Sequence, residues 1–100
     1  SARRVPQLPD VPTIAETLVP GYQAAGWSGL VAPTGTPADI IRRINADVVS
    51  VLREPAIVDR IIQMGAVPDP MTPEEYATFI RTEIATFREV ARAANVRLEG

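Results

Sequence analysis

The chain has 100 residues, of which 46% are apolar and 22% charged, and its net charge is −2. Disorder pairs low hydrophobicity with high net charge, so this balance argues for one small globular domain or a piece of a larger one. A pI near 5.0 without any basic stripe argues against nucleic acid or an anionic membrane surface as partner.

Cysteine and histidine are both absent. That removes disulfides, thiolate metal sites and imidazole ligands or bases, so no metal, no cofactor and no catalytic residue is expected. No apolar run approaches the roughly 20 residues of a membrane span. No secretory leader is visible from Ser1 onward.

Residues 1–26 are rich in proline and read as an extended arm, because proline fixes φ and pushes its predecessor toward extended geometry. A short helix is expected over Thr13–Leu18, with Pro12 near its first turn. Gly26-Trp27-Ser28-Gly29-Leu30-Val31-Ala32-Pro33 reads as a strand with Trp27, Leu30 and Val31 buried. A helix should then open with Thr36 as N-cap, Pro37 at its first position and Asp39 in its first turn. Ile40, Ile41, Ile44, Val48, Val51 and Leu52 recur at helical spacing and form one core-facing stripe.

Pro55 interrupts that pattern and restarts a shorter helix through Met64, which Gly65 ends. Ala66-Val67-Pro68 reads as a short edge strand. Thr72-Pro73-Glu74-Glu75 is a capping box, with Thr72 and Glu75 as its two members, and opens the last helix. Tyr76, Phe79, Ile80, Ile84, Phe87, Val90, Ala91 and Ala94 form its apolar stripe, while Arg81, Glu83, Arg88 and Arg92 populate the rest. Asn95 can close it, and Val96-Arg97-Leu98 trails off. The order is arm, strand, helix, helix, strand, helix. This is α/β material with few short strands, too few for an independent sheet.

Candidate chemistry is sparse. Ser28 sits beside glycine, yet no histidine or lysine exists to activate it, since every basic residue is arginine. Asp10, Glu16, Asp39 and Glu54 show no acid–base pairing and read as solvated or capping groups. Thr34-Gly35-Thr36 before a helix suits either an anion or plain capping. Tyr22 and Trp27 suit either packing or a ligand platform. Arg3 and Arg4 suit either a carboxylate or a solvated arm.

Several segments, in order, resemble one family. They are Leu8-Pro9-Asp10-Val11-Pro12-Thr13-Ile14-Ala15-Glu16, Pro20-Gly21-Tyr22, Trp27-Ser28-Gly29-Leu30-Val31-Ala32-Pro33, Gly35-Thr36-Pro37 with Asn45, and Gly65 with Thr72-Pro73-Glu74-Glu75. Together they resemble the substrate-binding proteins of tripartite tricarboxylate transporters, the Bug-type extracytoplasmic solute receptors. Phe87 stands where the family often has tryptophan.

The resemblance implies a periplasmic receptor of two α/β lobes. Such a receptor closes on a small carboxylate ligand and delivers it to membrane transporter subunits, and its signal peptide would lie upstream of these residues. Residues 1–26 would then end the second lobe and cross the hinge, with Tyr22, Gly26 and Trp27 at the crossing. Residues 27–100 would be the C-terminal part of the first lobe, with Trp27 and Ser28 as candidate ligand contacts. The apolar stripes would lack most of their covering sheet, so self-association as a homodimer is expected of the chain alone. The alternative is a stand-alone regulatory or protein-interaction domain with no small-molecule ligand. An enzyme is the remotest reading.

Overall fold

A computed structural model describes residues 1–97. Four helices follow one another: α1 (Ile14–Thr17), α2 (Ala38–Leu52), α3 (Pro55–Gln63) and α4 (Pro73–Ala93). Helix α2 is the centre of the arrangement, with α3 and α4 both packed on it.

Local chemistry accounts for the helix boundaries. At α4, Thr72 Oγ1 accepts the Glu75 N–H at 3.1 Å, and the Glu75 carboxylate accepts the Thr72 N–H in return. Thr13 and Glu16 make the same reciprocal pair at α1. That helix starts one residue later than expected, because Thr13 is its cap and not its first turn. Helix α3 ends as Gly65 enters the left-handed region at φ +80°, where a side chain would be strained. The Ala66 N–H then bonds Ile61 O and the Gly65 N–H bonds Ile62 O, a Schellman closure. Asn95, at φ 51°, closes α4 by the same pattern. Leu98 lies outside the described residues.

The cap expected at Thr36 is not there. Pro37 itself holds the N-cap position of α2, with no side-chain bond to the helix. Thr36 Oγ1 instead donates to Pro33 O at 2.8 Å, so its hydroxyl serves the preceding turn.

The two expected strands are also corrected: the described residues contain no strand. Residues 26–33 have no regular secondary structure, and from Gln23 to Ala32 no described backbone group bonds another backbone group. A strand exists only as part of a ladder, and no ladder forms among the described residues. Ala66-Val67-Pro68 stays irregular for the same reason. The described residues therefore supply helices alone, without the short strands expected.

The expected burial is corrected as well. No described residue is fully buried, and Trp27, Leu30 and Val31 are 45%, 70% and 81% exposed. The accessible surface is 8597 Å², against about 5,500 Å² for a compact protein of this mass. The radius of gyration is 16.8 Å, against about 13 Å for a compact domain of this length.

The single stripe expected on α2 divides into two faces. Ile41, Asn45, Val48, Val49 and Leu52 are half-buried towards the other helices, while Ile40, Ile44 and Val51 stay exposed. On α4 the division runs along the axis. Tyr76, Phe79 and Ile80 are half-buried, whereas Ile84, Phe87 and Val90 further on are exposed.

Candidate functional site

The residues singled out from the sequence converge only in part. Trp27 leaves the extended segment and lies against the first half of α4. Its ring meets Phe79 edge-on at a centroid distance of 5.2 Å and Tyr76 at 6.0 Å. Tyr76 and Phe79, three residues apart on one helical face, are nearly parallel at 6.4 Å. Such edge-to-face pairs suit the ring quadrupoles. The indole Nε1 donates to Glu83 Oε2 at 3.1 Å, which satisfies the one polar group Trp27 carries.

Gly29 tightens the same contact. A β-carbon there would collide with the Tyr76 phenol, so the segment approaches α4 this closely only with glycine. Tyr76, Phe79 and Glu83 thus form one stripe that grips Trp27 and Gly29. The sequence reading sets Glu83 among the charges outside the apolar stripe of α4. Its spacing of four from Phe79 and seven from Tyr76 puts it on the apolar stripe, and a charge at a stripe position was the signal that could have found it.

The other candidates stand apart from this cluster. Gly26 has open space around it. Tyr22 is exposed, and its N–H bonds Val19 O at 3.0 Å to close the turn through Pro20 and Gly21. Ser28 is exposed between the two gripped residues. At the N-terminus of α2 both the Thr36 hydroxyl and its backbone N–H bond Pro33 O and so serve the preceding turn.

Arg4 has a protein partner. Its Nε lies 3.1 Å from both carboxylate oxygens of Glu16, its NH2 is 3.0 Å from Oε1, and its NH1 donates to Pro9 O. This fork ties the arm to the capping box of α1. The hydrogen bond from Arg4, followed by that from the Thr13 backbone, lowers the Glu16 carboxyl from 4.5 to about 2. Arg4 is committed to the arm, and no spacing rule links it in sequence to a residue twelve positions away.

Two shallow depressions flank α2. One, of about 240 Å³, is apolar and lined by Val48, Val51, Leu52 and the stem of Asp47. The other, of about 220 Å³, lies between α2 and the start of α4, beside Asn45, Arg53, Met71 and Glu75. Asn45 Nδ2 donates to Met71 O at 2.8 Å there, and Arg42 meets Glu74 at 3.6 Å across the same junction. Among the described residues no acidic cluster could hold a metal ion, and no helix is long and apolar enough to cross a membrane.

Residues 1–96 match the family described as the tripartite tricarboxylate transporter family receptor. The chain belongs to this family. A UPF0065 protein of Pseudomonas sp. strain P51 is 35% identical over 91 residues, which are 90% of this chain and 27% of that protein. Protein BugT of Bordetella pertussis is 33% identical over 99 residues, 99% of this chain and 30% of that protein. Among solved structures, Rpa4515 of R. palustris with adipate superposes with a TM-score of 0.81 at 36% identity, covering 95% of this chain and 32% of that one. The chain thus spans about a third or less of each of these receptor-family relatives.

Proposed function

We propose that these residues are the closing part of a two-lobed extracytoplasmic receptor that binds a small dicarboxylate and presents it to a tripartite transporter in the membrane. Residues 1–26 end the second lobe and cross the hinge, and residues 27–100 complete the first lobe. The observation that carries the reading is the 0.81 superposition, at 36% identity, on a receptor-family structure containing adipate.

The bare surface supports the same reading. An excess of about 3,000 Å² over a compact protein has the size of a permanent interface. Ile40, Ile44, Ile84 and Phe87 are the apolar groups that such an interface would cover, and the remaining length of a receptor supplies the cover. A carboxylate needs convergent donors in a site closed off from water, which one part of one lobe does not provide. Titration calorimetry of the receptor-length protein with adipate and other dicarboxylates tests this. Saturable binding is expected, and no heat with any of them overturns the reading.

The same bare faces favour a second reading for the chain by itself, in which a second copy takes the place of the missing cover. Sedimentation at micromolar concentration should then give a dimer. A monomer with a cooperative thermal transition would contradict it.

A further inference from the structure

We propose that Glu83 is a positioning residue: by accepting the Trp27 indole N–H, it fixes the segment from Trp27 to Pro33 on α4 and confines bending to residues 22–26. The inference rests on reading residues 22–27 as the crossing between lobes.

The contrast between neighbouring stretches carries it. Between Gln23 and Ala32 no described backbone group bonds another, so side chains alone set where this segment lies. A β-carbon at Gly26 would meet nothing within 4 Å, and the preceding Gln23, Ala24 and Ala25 are exposed. One residue later the chain is gripped. Trp27 is held edge-on by Phe79 and Tyr76, Gly29 is pressed on the Tyr76 ring, and Nε1 bonds Glu83 Oε2 at 3.1 Å.

Each part of the grip has a separate task. Aromatic contacts are permissive of rotation, because an edge can slide across a ring face at small cost. The hydrogen bond is directional and sets the angle of the indole. Tyr76, Phe79 and Glu83 lie within two turns of one rigid helix, so the gripped segment moves with that helix. Ser28, between the gripped residues, keeps its place on the first lobe while the arm swings.

The sequence makes the test clean. Trp27 is the one tryptophan of the chain, and no native cysteine competes with introduced labels. Paired spin labels at Leu30→Cys and Arg88→Cys report the gripped segment against α4. A second pair at Leu18→Cys and Arg88→Cys reports the arm. Glu83→Gln keeps an acceptor oxygen, whereas Glu83→Leu removes it and remains a good helix former.

The first pair should give a narrow distance distribution in the parent and in Glu83→Gln, and a broad one in Glu83→Leu. The second pair should be broader than the first in the parent and unchanged by either substitution, because the arm is tied to α3 only through the Gln7 amide on Ile62 O. Solvent exchange of the indole proton should quicken about tenfold in Glu83→Leu alone, as loss of a charge-assisted bond implies. Equal breadth of the two pairs in the parent, or Glu83→Leu indistinguishable from the parent in both readouts, overturns the proposal. Neither readout involves ligand, so failure of adipate binding would strike the receptor reading and leave the grip to be judged separately.

Discussion

The chain up to Pro33 and the chain after it are held by different means. From α2 onward, backbone hydrogen bonds close three helices, and half-buried apolar side chains join them. Before Pro33 there is one helical turn, and position depends on a few side-chain ties. These are the Arg4–Glu16 fork, the Gln7 amide donating to Ile62 O, and the Trp27 grip on α4. A helix satisfies its own backbone and exists wherever its faces find partial cover. An extended segment satisfies nothing internally, so its place is set by what lies beside it.

The largest effect that would sharpen this comparison is at Trp27. Trp27→Ala removes two edge contacts and one hydrogen bond, which together cost about 2 kcal/mol. A fully buried tryptophan would cost about 3–5 kcal/mol, but Trp27 is 45% exposed. The helical signal in circular dichroism should stay, while labels on residues 27–33 become mobile relative to α4. Loss of the helices themselves would mean that the two regions fold as one.

Thr72→Ala should do the reverse. It deletes the oxygen that accepts the Glu75 N–H and should lower helical stability by about 1 kcal/mol. The Arg4–Glu16 and Gln7–Ile62 ties, neither of which involves α4, should be unchanged. Thermal melts followed at the helical band, set beside the mobility of a label at Leu18, separate the two outcomes.

The smallest effect is one of pH. Glu16 carries a carboxyl lowered from 4.5 to about 2, chiefly by Arg4. A lowered carboxylate stabilises above its ordinary value, and that contribution fades as pH falls through 4.5 and is gone below about 2. Acid in that window should loosen the arm while α2, α3 and α4 persist. In Arg4→Gln, carbon-13 titration should place the Glu16 carboxyl nearer its ordinary range, still somewhat lowered by the Thr13 N–H. An unchanged titration would mean that Arg4 does not hold it.

The same contrast explains what was legible in the sequence. The helical layer was largely readable, because its instructions are local. Pro55 and Gly65 bound α3, Thr72 and Glu75 open α4, and Asn95 closes it. The miss at Thr36 was local too, since a threonine before proline can serve either the helix or the preceding turn, and here it serves the turn. The expected strands do not form because pattern reports only a capacity to pair, and no ladder partner lies alongside among the described residues. Burial was misjudged for the same reason. Ile40 and Ile84 are exposed here, and composition cannot say what would cover them. Of the site, Trp27 was visible as an anchor, whereas Glu83 was hidden among the other charges of α4.

Titration of the chain itself with adipate, beside the receptor-length protein, tests the central claim most directly. The claim is that these residues finish a binding protein and do not constitute one. Calorimetry should show saturable heat for the receptor-length protein and none for the chain alone, even at high ligand concentration. Micromolar binding by the chain alone, through any of its exposed faces, would contradict the account.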